Sequence, residues 1–274
     1  MPPRVITVAD LRHVTKEFCI PAGTIVTPAA RDHADSHGIA IVIAANAPTA
    51  KAAATNEHID IARRIDHTLL HPDAAETDIL NLCAEATEHR FAAVCVNPTW
   101  VATAAKALQG TGVHVCAVVG FPTGAHSTSI KVAEAAGCVD AGAQEIDMVA
   151  NSGWLKDGRN ADYTADITAV RKRIGDGVVL KVIIEAALLT QDQIVRAATL
   201  AAHSGSNFVK TSTGVYSKAR VEDVQLLRRA LPERVKIKAA GGIRSAKEAL
   251  AMIAAGTDRI GTSNSIAIVW DSMV

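Results

Sequence analysis

Two lysines and one acid have the side-chain types that carbonyl chemistry needs: Lys210 in "FVKTSTG", Lys238 in "VKIKAA" and Asp147 in "EIDMV". Each ends or interrupts a short apolar run of strand character, where a charge is held away from water at a cost unless something uses it. Two lysines close together in a confined site oppose each other's protonation. Desolvation acts in the same direction, from an ordinary value of about 10.4 towards neutrality. A neutral amine is a nucleophile towards aldehydes. An acid beside it can move the protons that carbinolamine formation and dehydration require.

The elements that must position these residues alternate along the chain. From about residue 58, β-type runs occur at "IDHTLL" (65–70), "FAAVCVN" (91–97), "VHVCAVVG" (113–120), "QEIDMVAN" (144–151), "VVLKVII" (178–184), "NFVKTS" (207–212), "VKIKAA" (235–240) and "DRIGTS" (258–263). Segments of helical periodicity lie between them, several closed by glycine, the usual left-handed helix stop. About eight strands, each followed by a helix, predict an α/β fold of the (β/α)8 TIM-barrel type. A doubly wound open sheet is the alternative, but no G-x-G-x-x-G follows the first strand.

Side chains alternate faces along a strand, so each run can be sorted into outward and inward positions. Val235, Ile237, Ala239, Ile146 and Met148 go outward onto helices. That turns Lys236, Lys238, Glu145, Asp147, Lys181, Asp66 and Lys210 into the barrel, where Val, Ile and Leu are the usual filling. Compensating ion pairs explain Glu145 and Lys236, which sit near strand starts. Lys210 and Lys238 lie near strand ends, the face on which barrel enzymes place their chemistry. On the same face, "AAGGIRS" and "GTSNS" leave backbone amides uncovered beside hydroxyls and a helix start, after the last two strands, where barrels commonly bind a phosphate. Gly214, Gly241, Gly242, Ser263 and Asn264 are the candidate anion contacts, with Arg244 adding charge. Turn chemistry explains each motif taken singly.

Bulk properties narrow the field. With 274 residues, 49% of them hydrophobic, the chain has material for one large core plus a small extension. Lys and Arg (28) balance Asp and Glu (28), and there is no basic arm with interleaved aromatics, so nucleic acid is not an expected partner. Five cysteines at 19, 83, 95, 116 and 138 form no C-x-x-C pair and read as reduced thiols of a cytoplasmic protein. The first residues lack a signal-peptide core, no apolar run reaches membrane-spanning length, and no membrane partner is expected. His67, His71 and His89 lack ligand spacing, so surface or capping roles are expected for them, with no metal and no cofactor. Cys95 reads as a packed thiol.

Taken in order, "IDHTLL", "AVCVNP", "VVGFPTG", "EIDMVAN", "LKVIIE", "FVKTSTG", "KAAGGIR" and "RIGTS" resemble deoxyribose-phosphate aldolase, from about Ile65 to Ile268. The resemblance implies a metal-independent class I aldolase that splits 2-deoxy-D-ribose 5-phosphate reversibly into glyceraldehyde 3-phosphate and acetaldehyde. By match of motif, Lys210 is the Schiff-base lysine, Lys238 the neighbour that lowers its pKa, and Asp147 the proton-transfer group. Asp66 and Lys181 fall where the family has supporting polar groups. Two departures stand out: "VYSKARVEDV" follows "FVKTSTG" where the family has a glycine-rich turn, so that Lys218 or Arg220 could reach in, and Asn264 replaces a small residue or serine. Schiff-base cleavage of another phosphorylated sugar or a keto acid, and an inactive scaffold or packaged barrel, remain alternatives.

Residues 1–57 stand apart from a barrel domain at 58–274. Thr27 reads as a helix cap, Pro28 as the first helical residue, Gly38 as the stop and Ile39 to Ile43 as a strand, with "AANAPTAKAAATNEH" as a linker. "GTIVTPAARDHADSHGI" resembles a short segment on enzymes packaged in bacterial microcompartments. An extra helix and strand covering the barrel floor or a subunit interface is the other reading. The expected partners are small phosphorylated sugars and aldehydes, a second copy in a homo-oligomer, a dimer, and a microcompartment shell contacted through residues 1–57.

Overall fold

The computed structural model describes residues 5–6, 11, 17–21, 24–44 and 60–272. The chain divides into two compact units, residues 1–58 and 59–274. In the first, β1 (Val5–Ile6) pairs in parallel with β3 (Ile25–Val26), and β2 (Glu17–Pro21) with β4 (Ala40–Ala44). Helix α1 (Pro28–Ser36) begins as the sequence predicts: the Thr27 hydroxyl accepts from the Ala30 amide at 3.3 Å, and Pro28 fills the first turn, where no amide donor is needed. Leu11, Val26, Ala30, Ala34 and Ile39 form a small core of their own. The expected linker lies outside the described residues, apart from Ala44 at the end of β4.

In the second unit, eight parallel strands close into a barrel: β5 (Ile65–Leu69), β6 (Ala93–Val96), β7 (His114–Val119), β8 (Glu145–Val149), β9 (Val179–Ile183), β10 (Phe208–Lys210), β11 (Lys236–Ala240) and β12 (Arg259–Thr262), which pairs back onto β5. Around them lie α2 (Glu76–Glu88), α3 (Val101–Ala107), α4 (Thr128–Asp140), α5 (Ser152–Lys156), α6 (Asn160–Ile174), α7 (Gln191–His203), α8 (Val221–Ala230), α9 (Ala246–Ala254) and α10 (Ser265–Asp271). This is the (β/α)8 fold rather than the open sheet. The strands are shorter than the apolar runs suggest, because their last residues leave the ladder for other work. In "NFVKTS" the Ser212 hydroxyl turns to donate to the Ala240 carbonyl at 2.5 Å. In "QEIDMVAN" Asn151 is the cap of α5, its Oδ1 accepting from the Trp154 amide at 3.1 Å, so a helix absent from the sequence reading starts where a strand was expected to end.

Face alternation holds around the barrel. Outward-facing Val94, Val96, Ile146, Met148, Val182, Val209, Ile237 and Ile260 are fully buried in one core with helix residues such as Ile79, Ile167, Ile194 and Leu227. Burial of each such side chain contributes roughly 1.5–3 kcal/mol. One inward apolar patch, Ala93, Cys95, Cys116 and Val118, sits apart from this core, on β6 and β7.

The helical layer contains a buried ion pair that the sequence reading did not find. Lys131 of α4 donates to Asp166 of α6 at 2.6 Å, and the Thr128 hydroxyl donates to the other Asp166 oxygen at 2.8 Å. Burial pushes the Lys131 ammonium down and Asp166 opposes that, so each partner depends on the other. Asp166→Ala strands the ammonium and is expected to cost about 3–5 kcal/mol in denaturant unfolding, whereas Lys131→Met combined with Asp166→Leu is expected to recover most of the loss.

Candidate active site

The parallel register sets the site. Lys210 on β10 is the direct partner of Lys238 on β11, Asp147 on β8 is the partner of Lys181 on β9, and Asp66 on β5 is the partner of Gly261 on β12. Their side chains meet on the barrel axis. Lys210 Nζ and Lys238 Nζ each lie 2.7 Å from the same Asp147 oxygen, Oδ2, so the two nitrogens are near neighbours. Lys181 Nζ takes the other oxygen, Oδ1, at 2.9 Å, and the Cys116 thiol donates to it at 3.0 Å. Lys238 also reaches Asp66 at 2.5 Å, and Lys181 reaches Glu145 at 2.5 Å. Gly261 makes room for this crossing: a Cβ there would stand 3.0 Å from Lys238 Cε and 3.1 Å from Ala240 Cβ.

All five predicted catalytic and supporting residues, Asp66, Asp147, Lys181, Lys210 and Lys238, are therefore brought together and buried. The electrostatics differ from two ammonium groups facing each other bare, because an acid stands between them. Burial would lower Lys238, but Asp147 and Asp66 outweigh it and hold the ammonium well above its usual range. Lys181 is raised in the same way, against burial, chiefly by Asp147 and Asp66. Burial would raise the Asp147 carboxyl, but Lys181, Lys210 and Lys238 hold it well below the usual carboxylate range; Asp66 is lowered against burial by Lys181, Lys238 and Arg259.

Glu145 is paired, as its place near a strand start suggests. Burial opposes its ionisation, yet Lys181 and a hydrogen bond from His114 bring its carboxyl down to about 2. Lys236 shares the inward face but is exposed at the first residue of β11, with Nζ 5.7 Å from the Phe208 ring, so the expected ion pair gives way to a cation over an aromatic face. Arg259 is the cation that the sequence reading missed. Its guanidinium reaches Asp66 at 2.5 Å and Glu145 at 3.3 Å, and its Cζ lies 5.7 Å from the centre of the Phe208 ring. The alternation rule applied to outward Ile260 would have found it.

At the C-terminal mouth of the barrel, a cavity of about 380 Å³ is lined by Lys210 together with Gly214, Gly241, Gly242, Arg244, Ser263 and Asn264, so every predicted anion contact borders the same space. Of the buried charged cluster, Lys210 alone lines it. The glycine pair serves packing as well as access: with φ of 99° and 75°, a Cβ at Gly241 would lie 2.6 Å from the Ser217 carbonyl and one at Gly242 2.8 Å from Lys218 Cγ. Lys218 thus lays its stem across Gly242, while Arg220 turns away to pair with Asp223 at 2.7 Å. The Arg244 amide is occupied by Glu248 Oε2 at 2.7 Å, and the Asn264 amide by the Thr262 hydroxyl at 3.0 Å, which leaves Arg244 and Asn264 only their side chains to offer.

Glu185, buried and absent from the sequence reading, joins two mouth loops. Its carboxylate accepts from the Thr213 amide at 3.1 Å, from the Thr213 hydroxyl at 2.5 Å and from the Ser217 hydroxyl. It does so from φ 50°, in the left-handed region, which costs a non-glycine residue of order 1–3 kcal/mol. His67 is a further correction: it is buried rather than a surface or capping group, bonded through Nδ1 to Ser265 at 2.8 Å and through Nε2 to Glu85 at 2.7 Å, which ties α10 to α2. His89 caps α2 as expected, and His71 is exposed at the cavity rim.

Cys95 is buried in the inward apolar patch, as a packed thiol, and does not line the cavity. Donor atoms of Cys95, Cys116 and Asp147 lie within 4.8 Å of one another, as do those of Asp66, Cys116 and Glu145. The carboxylates in both sets are already matched by ammonium or guanidinium groups, so a cation there would have to displace them. Among the described residues no helix is long and apolar enough to cross a membrane.

Comparison with known proteins agrees with this geometry. Deoxyribose-phosphate aldolase of Desulfitobacterium hafniense is 49% identical over 213 residues, covering 77% of this chain and 98% of that protein. Deoxyribose-phosphate aldolase of a Geobacillus species is 49% identical over 211 residues, covering 77% and 95%. The tetrameric deoxyribose phosphate aldolase structure from Aeropyrum pernix superposes with a TM-score of 0.74 at 34% identity, covering 80% of this chain and 94% of that one. A model of the DeoC/LacD family aldolases matches residues 61–263, which hold the barrel strands and the whole charged cluster, and the chain belongs to that family.

Proposed function

We propose that this chain is a class I aldolase that cleaves 2-deoxy-D-ribose 5-phosphate, reversibly, into glyceraldehyde 3-phosphate and acetaldehyde through a Schiff base on Lys210. The observation that carries the reading is that the one amine open to the cavity shares an Asp147 oxygen with a second, fully buried lysine. The charge count favours Lys210 as the nucleophile. Three buried carboxylates, Asp66, Glu145 and Asp147, match Lys181, Lys238 and Arg259, and the fourth cation is in excess. Of these four cations Lys210 alone borders the cavity, and its loss of a proton leaves three cations for the three carboxylates.

In the forward direction the Lys210 amine adds to the C1 aldehyde carbon, and the carbonyl oxygen gains protons and leaves as water. The resulting iminium accepts the electron pair of the C2–C3 bond as the C3 hydroxyl loses its proton. Glyceraldehyde 3-phosphate departs and an enamine remains. Protonation at C2 and hydrolysis then free acetaldehyde and the amine. Asp147, in contact with Lys210, is the group placed to carry these protons, and Lys238 keeps a fixed cation at the same oxygen. The phosphate fits at Gly214, Gly241 and Gly242 with Ser263, and Arg244 and Asn264 offer side chains there.

We further propose that the enzyme works in the cytoplasm as a homo-oligomer, a dimer, and that residues 1–57 attach it to a microcompartment shell. The separate small core of the first unit supports its treatment as an independent module.

Borohydride reduction in the presence of acetaldehyde, read by peptide mass spectrometry, is expected to place an ethyl group on Lys210; an adduct on another lysine, or none, contradicts the assignment. Asp147→Asn is expected to lower kcat on deoxyribose 5-phosphate by about 10²–10⁴-fold, in line with loss of a positioned proton carrier. Removal of residues 1–57 is expected to leave turnover intact and to abolish co-sedimentation with shell proteins; loss of turnover would assign the segment to the enzyme itself.

A further inference from the structure

We propose that His114 is the solvent end of a proton path that runs along the barrel axis to Lys210, so that protons used at the mouth exchange with water at the opposite end of the barrel. The inference rests on the Schiff-base reading of Lys210. Its basis is a series of short contacts, hydrogen bonds at every link but that between Glu145 and Lys181, which meet as an ion pair without hydrogen-bond alignment. His114, the first residue of β7, has a half-exposed side chain, 50% accessible, whose Nδ1 lies 3.0 Å from Glu145 Oε1. The other Glu145 oxygen is 2.5 Å from Lys181 Nζ, Lys181 Nζ is 2.9 Å from Asp147 Oδ1, and Asp147 Oδ2 is 2.7 Å from Lys210 Nζ. The three groups between the ends have side chains no more than 1% accessible, and none of them lines the cavity.

Two features separate this series from a purely structural ion cluster. Donors and acceptors alternate along its whole length, ammonium against carboxylate, which is the order that transfer requires. The solvent end is occupied by the one side-chain type whose ordinary titration falls near neutrality. Arg259 also contacts Glu145, at 3.3 Å, but a guanidinium cannot release a proton under these conditions. The need for a rear path follows from the cycle: with phosphosugar in the cavity, the mouth beside Lys210 is filled while carbinolamine dehydration and enamine protonation still consume protons.

One passage balances as follows. Protonated His114 gives its Nδ1 proton to Glu145, which turns and passes it to Lys181 as Lys181 gives one of its own to Asp147. Asp147 delivers that proton to the group at the mouth. Only N–H and O–H bonds change; Glu145, Lys181 and Asp147 end as they began, and neutral His114 reloads from water. The hydrogen bond to Glu145 of β8 raises His114 above the ordinary imidazole value, opposed by burial and by Arg259 of β12 and Lys181 of β9. The donor form is therefore present at neutral pH and is lost as pH rises through that elevated value.

The test isolates proton transfer from carbon–carbon cleavage: exchange of the acetaldehyde methyl hydrogens for solvent deuterium, with glycerol 3-phosphate added to fill the mouth, followed by NMR in dilute non-imidazole buffer, for the full chain and for His114→Gln and His114→Ala. Thermal midpoints and borohydride trapping on Lys210 are measured in parallel. The expected result is an unchanged Lys210 adduct, exchange slowed by about tenfold, and loss of the alkaline fall in rate, with added imidazole restoring His114→Ala in proportion to its concentration. That is a smaller effect than the ~10²–10⁴-fold of an acid or base in contact with substrate, because His114 acts through other groups. Trapping that succeeds while exchange and its pH profile match the unaltered chain overturns the path alone, as does a slowed exchange that imidazole does not restore. No adduct on the unaltered chain overturns the Schiff-base reading and the path with it.

Discussion

The Asp147 carboxylate is the interaction on which the rest of this barrel depends. Its two oxygens receive three ammonium groups and a thiol, from β7, β9, β10 and β11, and each of those groups is nearly or wholly sealed from water. A lone cation at such a depth would shed its charge or destabilise the fold. Convergence on one acid makes the burial tolerable and also fixes the Lys210 amine, because a carboxylate held by four donors has little freedom to turn at rest.

The interior is consequently two-sided. On β6 and β7 it is filled by Ala93, Cys95, Cys116 and Val118, small or apolar groups that need no partners. On β5 and on β8 through β12 it is filled by charges, held by Asp66 and Arg259 at one level and by Asp147 with Lys210 and Lys238 nearer the mouth. Lys238 spans the two levels, with one acid at each, and it can cross only because β12 carries Gly261 where other strands carry a side chain. The polar half also needs no metal to be neutralised, since its own side chains nearly balance.

The fold and the centre of the site were legible in the sequence for a simple reason. A strand has a period of two, so a lysine or acid between apolar residues has its direction set by its neighbours, and that rule placed Asp66, Asp147, Lys181, Lys210 and Lys238 correctly without any long-range information. It fails where depth along the barrel matters more than face, as at Lys236, which points inward but ends in solvent. It also says nothing about residues on the outer face, so His67, clamped between Glu85 and Ser265, could not be told from a surface histidine. Helix α5 was hidden because its cap, Asn151, directly follows a β-rich run, and Glu185 was hidden because its partners lie 28 and 32 residues further along the chain.

Glu185 has a consequence for how this scaffold can be rebuilt. Because its carboxylate carries both Thr213 and Ser217, the turn that follows Lys210 is not an independent cassette: it is anchored to a residue on the far side of α7. Chimaeras whose crossover falls within that helix inherit the anchor from one parent and the loop from the other. Grafts that carry residues 185 through 220 as a block keep anchor and loop matched, and they mark the natural unit for exchanging the mouth of the barrel among relatives.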